Sequence, residues 1–421
     1  MAAHLESRRR RVLEKRAIRR RRVAAILASL VVLAGIVAAC NAVTRASGRA
    51  SPSTLPATST LPATSTLPAT STSTSTTTTT TSTTTTLAVP STPNVGIHTF
   101  HWVETGPGIT HVGPTGAPIA GRVLTTEVRY PTFAGSPGTE TTNATPARQG
   151  GPYPVIVFAH GFMTDPSTYA ALLDTWVRAG FVVVSPIFPD ESLQAVAAAG
   201  GLTSRTIADT LEDDVYNEPG DIVYVLKQLQ SLAEQPWGGH LEGVMDLNDI
   251  GLAGQSDGAN VVAALSYASG LSGLYDDLPS APKAVAVLSG YAWGYLPGAG
   301  IGQYVASSSS PALLQVQSDA DGCVSPVAAE DLFSSVQGGL TSKWFVTLLG
   351  ADHLGPYRGV APWAAVVDAV TTQFFELELK GRSSSASAQS IMAAGTVAGA
   401  SQISTVVSAS TMPHVPLVGG C

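Results

Sequence analysis

The stretch from Asp249 to Leu265, DIGLAGQSDGANVVAAL, constrains the fold more than any other part of the chain. A short apolar run, Ile250 to Ala253, reads as a buried strand. It breaks at Gly254-Gln255-Ser256-Asp257-Gly258, and an alanine-rich helical pattern follows at once. Strand, abrupt turn and helix around G-x-S-x-G form an elbow that lifts a serine hydroxyl clear of a sheet. The turn demands strained backbone angles at Ser256, and a glycine two residues to either side keeps side chains out of its way. The five-letter pattern recurs by chance in a chain with 41 glycines, so the weight falls on its flanks and on whether the chain supplies partners for the serine.

The flanks predict an α/β fold with a mostly parallel sheet and helices on both faces. Residues 96–104 and Gly121 to Pro131 alternate like strands and suit an antiparallel edge. Val155 to Ala159 is a continuous apolar run, as for a parallel strand buried on both faces. Ser167 to Ala179 is helical and ends at Gly180, and Phe181 to Ser185 is the next strand. Between Pro186 and Asn217 lies an alanine-rich insertion, read as loop and short helix. Pro219 to Leu232 is a helix with Leu226, Leu229 and Leu232 on one face. After the elbow, strands are expected at Ala284 to Leu288, Ala312 to Val316 and Trp344 to Leu349, with a closing helix from Pro362 to Lys380.

A serine hydroxyl is a poor nucleophile until a neutral imidazole takes its proton and a carboxylate fixes that imidazole's tautomer. On elbow folds the chain order is Ser, acid, His. Two of the eight histidines lie beyond Ser256: His414, in a Ser/Ala-rich tail, and His353, directly after a strand in LLGADHL. His353 is therefore the expected base. The acid should leave the preceding strand, where LLQVQSDADGC offers Asp321 and Asp319. Asp321, in a turn before Gly322, is preferred; Asp319 would then be a turn-capping acid. Two backbone N–H groups must meet the developing oxyanion. Asp257 supplies one, and Phe162, in His160-Gly161-Phe162 after the first central strand, the other; His160 itself reads as structural. Gly290 to Tyr295 holds Tyr291 and Trp293 at the same rim, candidates to wall a substrate pocket.

The ends of the chain are of another character. Residues 1–22 carry ten Lys/Arg and two Glu, leaving 13 basic and 28 acidic residues in the remainder, a net −15. So acidic a body argues against a nucleic-acid partner. Residues 23–39 are seventeen without a charge, short for a bilayer span and suited to an export signal behind a basic leader. They end in Val37-Ala38-Ala39-Cys40, which resembles a bacterial lipobox; by that resemblance Cys40 carries two acyl chains and tethers the protein to the membrane, the competing reading being an uncleaved anchor. Residues 41–95 are Ser, Thr, Pro and Ala with STLPAT three times from Ser53, a solvated stalk. Residues 96–380 form the catalytic domain, and 381–421 a loose Ser/Ala-rich tail. Cys323 and Cys421 are a candidate disulfide in an exported protein, a free buried Cys323 being the competing reading.

Taken together, LTTEVRYP, PVIVFAHGFMTDPSTY, RAGFVVVSP, PGDIVYVLKQL and the elbow resemble bacterial α/β-hydrolases over about residues 120–380. The nearest groups are relatives of platelet-activating-factor acetylhydrolase, dienelactone hydrolase and the cutinase-like polyester hydrolases. The resemblance implies a triad of Ser256, Asp321 and His353, oxyanion donors at Phe162 and Asp257, a substrate-stacking Trp293, and no metal or cofactor. Where those enzymes have G-H-S-M-G-G, this chain has Gln255, Asp257 and Ala259, a departure that bears on polyester substrates and leaves ester hydrolysis intact. Dienelactone hydrolase proper uses a cysteine nucleophile, and none stands here. An exported serine esterase is the leading expectation. Lipase, phospholipid acetylhydrolase, polyesterase and peptidase stay open beside it, as does a non-catalytic surface binding protein on a hydrolase scaffold.

Overall fold

The computed structural model describes residues 92–406 except 106–120, 202–214, 216, 235–240, 272–273, 276–277, 279, 293–302, 337–339, 341 and 382–386. The export signal, Cys40, the stalk up to residue 91, Trp293, His414 and Cys421 therefore lie outside the described residues. The domain begins slightly before residue 96, since Asn94 and Val95 already belong to the first strand. Among the described residues no helix is long and apolar enough to cross a membrane.

In chain order the elements are β1 (Asn94–Glu104), β2 (Arg122–Thr132), β3 (Glu140–Thr142), β4 (Tyr153–Ala159), α1 (Ala170–Arg178), β5 (Val182–Ile187), α2 (Leu193–Ala198), α3 (Glu218–Glu234), β6 (Met245–Gln255), α4 (Asp257–Tyr267), β7 (Ala284–Leu288), β8 (Ala312–Ser318), α5 (Pro326–Ser335), β9 (Lys343–Leu348), α6 (Trp363–Leu379), α7 (Ala388–Gly395) and β10 (Ser401–Ser404). One sheet runs β10-β9-β8-β7-β6-β4-β5-β2-β1-β3. From β5 to β9 all neighbours are parallel. β2 joins β5 and β1 antiparallel, and β10 joins β9 antiparallel.

The central strands are mostly apolar because both of their faces are covered, with polar residues such as Gln255, Gln317 and Ser318 gathered at the C-terminal ends of β6 and β8. In β4, Val155, Val157 and Ala159 pack with α3, α4 and α5 residues such as Leu226, Val262 and Phe333. The alternate Ile156 and Phe158 pack on the other face with Trp176 of α1 and Phe374 of α6. Strand alternation thus feeds two separate cores. The chain leaves β4 for β5 on one side, then returns through α3 to β6 on the other. That reversal opens a crevice at the strands' C-terminal ends between β4 and β6, where open α/β sheets bind ligands.

The tail departs from expectation. Residues 387–406 are not loose: α7 buries Ile391 fully, and β10 pairs with β9 from Ser401 opposite Leu348 to Ser404 opposite Phe345. The domain extends past residue 380 because the β9 edge would otherwise expose an unpaired row of backbone groups.

Candidate active site

The elbow is built from close backbone approaches. A Cβ on Gly254 would stand 2.2 Å from Gly258 O, and one on Gly258 would stand 2.2 Å from Ala159 O. Any side chain at either position would push α4 off β4 and β6. Between them Ser256 sits at φ 57°, ψ −120°, a conformation costing about 1–3 kcal/mol. It is held by bonds on both sides: Ser256 N–H donates to Leu288 O at 3.0 Å, and Asn260 N–H donates to Ser256 O at 3.0 Å.

Ser256 Oγ lies 2.9 Å from His353 Nε2, and His353 Nδ1 lies 2.8 Å from Asp321 Oδ2. With Nδ1 donating to the carboxylate, Nε2 keeps its lone pair for the serine proton. The His353 side chain is 16% exposed and that of Asp321 is fully buried. Burial pushes the Asp321 pKa up, but His353 and the amides of Val324 and Cys323 outweigh it and hold the group below the usual carboxylate range. Those amides donate to Oδ1 at 2.9 and 2.8 Å, and Gln317 Nε2 donates to Oδ2 at 3.1 Å. Asp319 faces elsewhere, accepting from Gly350 N–H at 2.7 Å. The loop carrying His353 is itself tied down: Ser318 Oγ donates to Ala351 O at 2.7 Å, and Asp352 accepts from the Leu354 and Gly355 amides.

Gly161 lies directly over the elbow, where a Cβ would come within 3.0 Å of Ser256 Cβ. The amides around Phe162 are occupied: Gly161 N–H by Tyr169 Oη, Met163 N–H by Glu191 O, and Thr164 N–H by Gly161 O. Among the described residues the Phe162 N–H has no hydrogen-bond partner, and Asp257 opens α4, so its amide points out of the helix end. The Asp257 carboxylate accepts from Asn260 Nδ2 at 3.3 Å, one turn along the helix. His160 is buried and holds two loops together: Nδ1 donates to Gly161 O at 3.0 Å and Nε2 accepts from Phe188 N–H at 2.9 Å.

A family model described as chlorophyllase matches residues 121–274, less than half of the chain. Its span runs from β2 through the elbow. No curated protein matches significantly. Among solved structures, a ferulic acid esterase from Streptomyces cinnamoneus is similar at 17% identity and TM-score 0.46, over 70% of this chain and 93% of that one. The sheet order and the elbow between β6 and α4 are those of the α/β-hydrolase fold.

Within that fold, Tyr291 stands at the rim after β7, its amide donating to Asn260 Oδ1 at 2.8 Å, while Trp293 lies outside the described residues. Cys323 is disulfide-bonded; its partner lies outside the described residues, and the sequence has two other cysteines, Cys40 and Cys421. Asp321, Cys323 and His353 come within 4.8 Å of one another, but a disulfide sulfur offers no thiolate and the other two groups bind each other, so the trio does not fit a metal. The roles of three residues escaped the sequence reading: Gln317 on the acid, and Gln255 and Tyr169 beneath the elbow. For the two glutamines the available signal was a polar residue near the end of a largely apolar strand run; for Tyr169 there was none.

Proposed function

We propose that the protein is an exported serine hydrolase that cleaves carboxylic esters through Ser256, His353 and Asp321. Ser256 Oγ attacks the ester carbonyl carbon while its proton passes to His353 Nε2. The carbonyl oxygen becomes an oxyanion between the Phe162 and Asp257 amides. Collapse breaks the bond to the alkoxy oxygen, His353 returns the proton to it, and the alcohol leaves an acyl group on Ser256. Water then attacks the acyl carbon with His353 taking its proton, and the acid departs as Ser256 recovers its own.

The observation that carries this reading is the unbroken chain from Ser256 Oγ through both nitrogens of His353 to buried Asp321, at 2.9 and 2.8 Å, on a serine held at positive φ. The match to the chlorophyllase model supports the ester class. Asp321 is the acid because its carboxylate, unlike that of Asp319, meets His353. Export rests on the basic leader and the apolar residues 23–39; the tether rests on Cys40, and a Cys323–Cys421 disulfide fits the compartment. The test is turnover of p-nitrophenyl esters across a series of acyl lengths. Wild type is expected to hydrolyse at least the short members and Ser256→Ala none; turnover by Ser256→Ala at the wild-type rate overturns the assignment, and an inert wild type favours a binding protein.

A further inference from the structure

Gln255 occupies the first variable position of the elbow, where the related hydrolases carry histidine, and ends β6 with its side chain 1% exposed. Its two ends face different loops. Oε1 accepts from Tyr169 Oη at 2.7 Å. That hydroxyl accepts from Gly161 N–H at 3.3 Å and lies 3.0 Å from Thr164 Oγ1, which donates to Gly161 O at 2.5 Å. The acceptor end is therefore tied to the loop that carries the Phe162 amide. Nε2 donates to His353 O at 3.1 Å and lies 3.2 Å from His353 Nε2, so the donor end grips the residue that receives the serine proton. Tyr169 is fully buried, and burial raises its pKa to about 12; its hydroxyl stays protonated and able to donate.

We infer that Gln255 is a positioning residue for the reaction proposed above, locking the base loop after β9 and the oxyanion loop after β4 to one buried amide beneath Ser256. The primary amide suits the task because it carries an acceptor and a donor at opposite edges of one rigid plane. Buried, each end is costly to leave unpaired, so the two loops are held in register with each other as well as with β6. Neither bond touches a reacting atom of substrate. The effect is on the distance between base, nucleophile and oxyanion amide, to which rates are steeply sensitive.

The inference rests on the esterase reading, and its test uses a fluorophosphonate, which needs no knowledge of the natural substrate. Ser256 Oγ attacks phosphorus, fluoride leaves and His353 takes the serine proton, so the rate reads base and oxyanion site together. Gln255→Met removes both ends of the clasp, Gln255→Glu keeps the acceptor for Tyr169 but loses the donor to His353 O, and Tyr169→Phe loses the far link. The full chain is expected to label on Ser256. Both Gln255 variants should label about ten- to a hundredfold more slowly at saturating probe, with half-saturation unchanged. Gln255→Met/Tyr169→Phe should be no slower than the slower single variant, because both break one path. Wild-type labelling rates in both Gln255 variants, losses that multiply in the double variant, or a defect confined to half-saturation would overturn the inference. Should Gln255→Met fail to melt cooperatively, Gln255→Glu and Tyr169→Phe carry the same comparison. A wild-type chain that does not label overturns the esterase reading instead.

Discussion

Asp321 accepts from two backbone amides with one carboxylate oxygen and faces His353 with the other, so its geometry does not depend on the histidine alone. Replacing it by Asn keeps the shape but can present an amide N–H to Nδ1, which then must accept and leaves Nε2 protonated. Asp321→Asn is thus expected to lower kcat on the order of a thousand- to ten-thousandfold, while Asp319→Asn leaves it within a factor of a few; steady-state kinetics with a p-nitrophenyl ester checks both. Equal losses would mean the acid is misassigned. Chain order alone brought attention to His353 and to this pair of acids. Choosing between residues 319 and 321 needed the turn at Gly322, since both leave the end of β8. Gln255 was visible only as a polar residue closing an apolar strand; its role was not legible, because the loops that meet it come together only on folding.

At the scale of elements, the ends of β4 and β5 are bound through His160. Burial lowers its pKa to about 4, against a contrary pull from the bond to Gly161 O and from Asp165. The unfolded chain titrates near 6.5, so between those values it binds a proton that the folded chain refuses. Stability contributed by a neutral His160 is therefore whole above about pH 6.5 and is lost as pH falls toward about 4, by up to roughly 3 kcal/mol. His160→Gln removes that proton site. Denaturant unfolding at pH 4.5 and pH 7 should show wild type losing more stability between the two than the variant; identical losses would contradict this. The long central strands were legible from their runs of Val, Ile, Leu and Ala, since burial on both faces leaves few polar positions. β3, with sequence ETT, and β10, with SQIS, were not. Short edge strands with one half-exposed face carry little apolar pattern, and the Ser/Ala bias of the tail masked the second.

For the whole molecule, the sheet ends on β10, which covers the edge of β9. Ile391 is fully buried and Ala400 nearly so, and burial of Ile391 alone is worth about 2 kcal/mol. A chain ending at residue 380 should therefore melt on the order of 5 °C or more below one ending at residue 406, as followed by circular dichroism; equal melting would show that the added strand is dispensable. Both end before residue 421, so neither retains that cysteine. The central claim concerns where the acyl group resides during turnover. Its most direct measurement is mass spectrometry of the full-length protein quenched during hydrolysis of a p-nitrophenyl ester. The account predicts one acyl adduct per chain, located on the peptide containing Ser256 and missing in Ser256→Ala. Turnover by a folded wild-type chain with no adduct, or with the adduct on another residue, would contradict it.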